Sequence, residues 1–110
     1  MATSKIPNVG EIKSNAVITA TQADYETVAT VTMPSWGIIA FKPSYWSSRP
    51  TGIRLIRTVN GQIVAVDEDE TEYYRLSLCE AVVDGEYALQ VKTASFAAGH
   101  KKQIYYIAIY

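Results

Sequence analysis

The chain has 110 residues, 48% of them hydrophobic and 19% charged, with a net charge of −1. That length makes one domain with room for a two-layer core, and the composition excludes a disordered tail. Basic residues cluster no further than the pairs Lys101-Lys102 and Arg54/Arg57, which argues against a nucleic-acid or anionic-lipid partner, and the longest apolar run, Ile104 to Tyr110, is far too short for a membrane span.

The opening stretch "MATSKIPNVGEIKSN" has no periodicity, contains Pro7 and Gly10, and lacks the apolar segment of a secretory leader. It reads as an arm or linker over residues 1–15, with residues 16–110 as the folded domain. "AVITA", "ETVATVTM" and "GIIAFK" follow, rich in β-branched residues and divided by polar or Pro/Gly breaks such as Pro34 to Gly37. They read as short strands.

"KPSYWSSRPTG" carries two prolines and reads as a loop or edge. Within it Tyr45, Trp46 and Arg49 sit beside Ser47 and Ser48, a composition used by binding loops, so these five are the candidate ligand-binding residues. A sugar ring lying on Trp46, with Arg49 and the serines at its hydroxyls, is one reading. Trp36 and Trp46 as plugs for the ends of a sandwich is the other.

"GIRLIRTV" and "QIVAV" flank Asn60-Gly61, which predicts a tight two-residue hairpin with both turn residues at positive φ. "DEDETE" then places five carboxylates between Asp67 and Glu72, read as a solvated tip. The twelve-residue calcium loop with its turn glycine is missing, and whether the run takes a cation is left open. "TEYYRLSLCEAVV" fits both helical and alternating spacing, and its neighbours favour strand. Cys79 stands alone, which excludes an intramolecular disulfide and a cysteine-based metal site and fits a small buried hydrophobe. "VDGEYALQV" repeats the turn device at Asp84-Gly85 ahead of strict alternation, with Tyr87, Leu89 and Val91 on one face and Glu86, Gln90 and Lys92 on the other. His100, the sole histidine, falls in the turn "AAGHKK". A solvated histidine there fits better than a general base, and neither a catalytic residue, nor a metal, nor a cofactor is expected.

About eight short strands with little or no helix predict an all-β antiparallel sandwich or jelly roll. The aromatic set is unusual. Eight tyrosines and two tryptophans stand against two phenylalanines, and such rings favour places that are apolar on one side and wet on the other.

Three stretches carry a family resemblance: "VTMPSWGIIAFKPSYWSSRPTGIRLIRTVNGQIVA", "YRLSLCEAVVDGEYALQVKTAS" and the closing "IYYIAIY". Over roughly residues 26–110 the chain resembles the tumour necrosis factor-like, complement-head-like jelly rolls at the tips of bacteriophage fibres and related virion appendages. The prolines of "KPSYWSSRP" and the acidic "DEDETE" depart from that pattern. The resemblance implies a homotrimer in which one sheet of each subunit packs on its neighbours, located in the virion, attached to other virion proteins through the N-terminal arm and binding a host-surface saccharide. A capsid decoration protein without a receptor and a bacterial carbohydrate-binding module are the alternatives.

Both faces of the last strand are apolar, and such a subunit arrangement would cover both. Sequence alone leaves its parity open. The Tyr-rich row suits an interface, so Ile104, Tyr106, Ala108 and Tyr110 are expected against a sister subunit, and Tyr105, Ile107 and Ile109 in the core.

Overall fold

Eight strands are described, and their partners run as if one long ribbon had been doubled back on itself. The computed structural model describes residues 9–17, 25–46, 50–69, 75–93 and 101–110; for 9–17, 43–46, 93 and 101–104 it describes the course of the backbone. The strands are β1 (Val9–Val17), β2 (Glu26–Met33), β3 (Gly37–Trp46), β4 (Pro50–Arg57), β5 (Ile63–Glu68), β6 (Leu78–Val82), β7 (Gly85–Thr93) and β8 (Lys101–Ile109). β4 pairs with β5, β3 with β6, β2 with β7 and β1 with β8, all antiparallel. Rolling that ribbon adds the pairs β3·β8 and β4·β7 and closes two four-stranded sheets, ordered β1-β8-β3-β6 and β2-β7-β4-β5. This is the strand order of an eight-stranded jelly roll, so the expected all-β sandwich is the observed fold.

The core lies between the sheets and follows period-two alternation. Val31, Met33, Ile53, Leu55, Tyr87, Leu89 and Val91 face it from one sheet, and Ile39, Phe41, Val82, Tyr106 and Ala108 from the other. Each large side chain buried this way contributes about 1.5–3 kcal/mol relative to exposure. Tyr87 keeps its polar end satisfied by donating its hydroxyl hydrogen to the carbonyl oxygen of Val83, at 2.7 Å. The alternation read for β7 is the one observed, although Gln90 and Ala88 on its outward side are also buried.

Four local expectations change. The segment expected to be an arm supplies β1, because residues from Val9 onward pair with β8 in a register that aligns Val9 with Ile109 and Ile12 with Ile107. Backbone pairing along the exposed edge of β8 requires no strict alternation of side chains, so composition was a poor guide there. The boundary at residue 15 therefore falls inside a strand, while residues 1–8 lie outside the described residues. The loop expected from Lys42 is strand as far as Trp46. Pro43 is tolerated because β6 stops at the Phe41↔Leu78 pair, leaving that side of β3 open, and a register shift follows between Pro43 and Tyr45.

The β4–β5 hairpin has a four-residue loop instead of two. Arg57 N–H donates to the carbonyl of Gln62, and Gly61 N–H to that of Arg57. Gly61 takes a φ of 69°, and the Asn60 side-chain oxygen accepts from the Gln62 N–H at 3.0 Å, a local bond that helps hold the turn. Asp84-Gly85 also differs. It carries the chain from one sheet to the other and forms no hairpin, with Gly85 at φ 136° and the Arg57 guanidinium packed where a Cβ would project.

The turn from β2 to β3 depends on Gly37. A Cβ there would meet the carbonyl oxygen of Ile109 and lie 2.7 Å from the Met33 methyl carbon. Backbone on one side and a buried side chain on the other leave little room to yield. Gly37→Ala should therefore cost about 1–3 kcal/mol of stability, the usual range for overpacking, measured by urea denaturation; an unchanged midpoint would show that the β2–β3 turn moves freely.

Candidate functional site

Pairing sets the parity of the last strand. Tyr106 lies opposite Phe41 and Ala108 opposite Ile39, and residues paired across antiparallel strands share a face. Because Ile39 and Phe41 point into the sandwich, Tyr106 and Ala108 must as well, and they are 2% and 0% exposed. The expected interface row is thus corrected. Tyr106 and Ala108 are core, Tyr110 is half-buried against the core, and the side chain of Ile104 lies outside the described residues. The outward row is Tyr105, Ile107 and Ile109, the row expected inside. Abundance of tyrosine pointed the wrong way because a buried Tyr ring packs as well as Phe when its neighbours leave room.

Among the described side chains, the outer face of β8, β3 and β6 is consequently apolar. Ile109 aligns with Ile38 and Ile38 with Ala81; one step along, Ile107 aligns with Ala40 and Ala40 with Cys79; the next pair is Tyr105 with Lys42. Ile38 and Tyr105 are 38% and 44% exposed, so these are surface groups, with Lys42 the one charge in the rows. Cys79, expected to be buried, is exposed here. Where β6 ends and β3 continues, the face sinks into a cavity of about 260 Å³ bordered by Ala40, Lys42, Ser77, Cys79, Tyr105 and Ile107. At the other end of β3 the apolar surface continues through Trp36 and Val83, 58% and 54% exposed, on either side of the Gly37↔Val82 pair. Trp36 does not plug the sandwich. Its exposure could not be read from a turn composition that fits a plug equally well.

The outer face of the other sheet carries a polar network beside the exposed apolar side chains Ile63 and Val66 of β5, which pair with Ile56 and Arg54. Tyr25, just before edge strand β2, reaches across β7 and β4 to donate its hydroxyl to Glu68 of the opposite edge strand β5, at 2.8 Å. Its path crosses Gly52, where any Cβ would meet the phenol oxygen. Glu68 also pairs with Lys92 at 2.7 Å, and the Arg54 guanidinium stacks 4.1 Å from the Tyr25 ring centre while donating to Gln90 at 2.6 Å. Gln90 in turn donates to the Thr27 hydroxyl. Burial, then the bond to Glu68, holds the Tyr25 phenol above its ordinary pKa, and the Lys92 and Tyr25 hydrogen bonds hold the Glu68 carboxyl below its own. No sequence signal marks Tyr25 for this role, since its partner lies 43 residues away. The network straps one sheet face and leaves the ring covered by cations.

The candidate binding residues are only partly placed. Tyr45 and Trp46 end β3 with side chains outside the described residues, and Ser47, Ser48 and Arg49 lie outside them altogether, as does His100. Of the acidic run, Asp67 and Glu68 belong to β5 instead of a loop tip. Asp67 accepts the Ser77 N–H at 3.0 Å and Glu68 is held as above. Among the described residues no three His, Cys, Asp or Glu side chains gather around a common point. Compared with family models and with curated proteins, the chain matches none. The apolar sheet face is therefore the candidate site, since exposed apolar patches mark contact surfaces more often than chance.

Paired substitutions separate the two rows of β8. Tyr106→Asp places a charge in the core and should abolish folding or cost more than about 4 kcal/mol, whereas Ile107→Asp should leave the monomer fold within about 1 kcal/mol of wild type, both measured by circular dichroism during denaturation. Comparable losses would mean the outward row is buried within the subunit.

Proposed function

We propose that this chain is a non-enzymatic, self-assembling jelly-roll module of a virion appendage, a bacteriophage fibre tip, built as a homotrimer whose β1-β8-β3-β6 sheets face sister subunits. The observation that carries the reading is the outward apolar row Tyr105, Ile107, Ile109 backed by Ile38 and Ala40. An apolar patch of this kind on a folded domain is often a functional contact surface. The resemblance of residues 26–110 to fibre-tip jelly rolls supplies the setting, and the jelly-roll strand order is consistent with it. Host attachment through a saccharide belongs to the same proposal and rests on the segment from Lys42 to Thr51, while docking to other virion proteins falls to residues ahead of β1. Assembly uses the opposite row of β8 from the one that tyrosine content favoured.

Light scattering coupled to size exclusion at micromolar concentration tests the assembly claim. A mass of three chains is expected; a single-chain mass at every concentration would remove it.

A further inference from the structure

The flat apolar part formed by β8, β3 and β6, the strands with described side chains, is too small to hold an assembly together by itself. Three strands about 4.8 Å apart and three outward rows about 6.8 Å apart span roughly 300 Å², against about 800 Å² per partner in a stable interface. Something protruding must add to it. Trp36 is the largest exposed apolar side chain among the described residues, and it stands at one end of the face. The cavity lies at the other end, about 16 Å away along β3 at the ordinary strand rise, so a subunit cannot fill its own cavity with its own Trp36. At about 260 Å³ the cavity is below the usual size of a small-molecule pocket and suits one large side chain. An aromatic residue buries about 150–250 Å², which goes a substantial way toward the missing area.

Charge adds direction. Lys42 is exposed at the rim of the cavity. Asp84 is exposed in the turn after Val82, whose partner Gly37 follows Trp36, so an acid accompanies the protrusion and a base the recess. Neither side chain has an ion pair within the subunit among the described residues.

We infer that Trp36 of one copy inserts into the β3–β6 cavity of the next, with Asp84 of the first copy beside Lys42 of the second. The inference rests on the self-assembly reading above and names the contact that makes it. Trp36 and the recess are separate patches of one face, so the contact can repeat from copy to copy, and in the proposed trimer it closes when every recess of the ring is filled. Ala40, Cys79 and Ser77 at the recess are small, which leaves the space open to an incoming indole.

Dilution series followed by light scattering or sedimentation test it on the full chain. Trp36→Ala lies in an exposed turn and should keep the fold while weakening association about 30-fold or more, as expected of a central Trp. Lys42→Asp and Asp84→Lys should each weaken association, and the double variant should recover most of the loss. Wild type that oligomerises while Trp36→Ala associates equally well, or a double variant as weak as the single ones, overturns this contact and leaves self-assembly standing. Wild type that stays a single chain throughout overturns both.

Discussion

Antiparallel pairing of β8 with β3 fixes which side of every strand in its sheet meets the core. Ile39 and Phe41 enter the sandwich from β3, and the register carries Ala108 and Tyr106 in with them. A slip of one residue would exchange the rows, placing Tyr105 and Ile107 inside and the Tyr106 ring in solvent. Because β8 also carries β1 and β3 carries β6, the same register decides the outward set across the sheet, including Ala81 and Cys79. The apolar outer face is thus the complement of a well-specified core.

The two sheets solve the problem of an outer face differently. The β2-β7-β4-β5 sheet is covered by its own side chains, with Tyr25 strapped from one edge strand over Gly52 to Glu68 and cations of Arg54 and Lys92 set against the ring. Such exposed pairs are individually worth only about 0.2–1 kcal/mol, yet together they tie the two edge strands of this sheet across its face. The outward rows of β8, β3 and β6 are aliphatic among the described side chains, with Lys42 as the charge set in them. The cross-sheet network is thus confined to one face, and the proposed assembly would cover the other.

The fold was legible where the signal is local. β-branched runs, breaks at glycine and proline, and the alternation of Tyr87, Leu89 and Val91 point to strands without knowledge of partners. β1 was missed because an edge strand held by backbone bonds can be polar, and the extension of β3 through Pro43 because proline's tolerance depends on where β6 ends. The candidate site was legible only in part. That β8 has two apolar faces is a property of seven consecutive residues, whereas its parity is a property of pairing with residues more than sixty positions earlier. Trp36, Cys79 and the cavity depend on sheet geometry in the same way.

The central claim is that the β1-β8-β3-β6 face is covered in the working protein, and Cys79 reports on it directly. It is the only thiol in the chain, it is exposed in the single subunit, and it lies in the row Ile107–Ala40–Cys79. The rate at which a small disulfide reagent modifies the wild-type thiol can be followed in the assembled protein and in chains dissociated by dilution. The account predicts slow modification in the assembly and fast modification once the copies separate; a thiol that reacts equally fast in both states would contradict it.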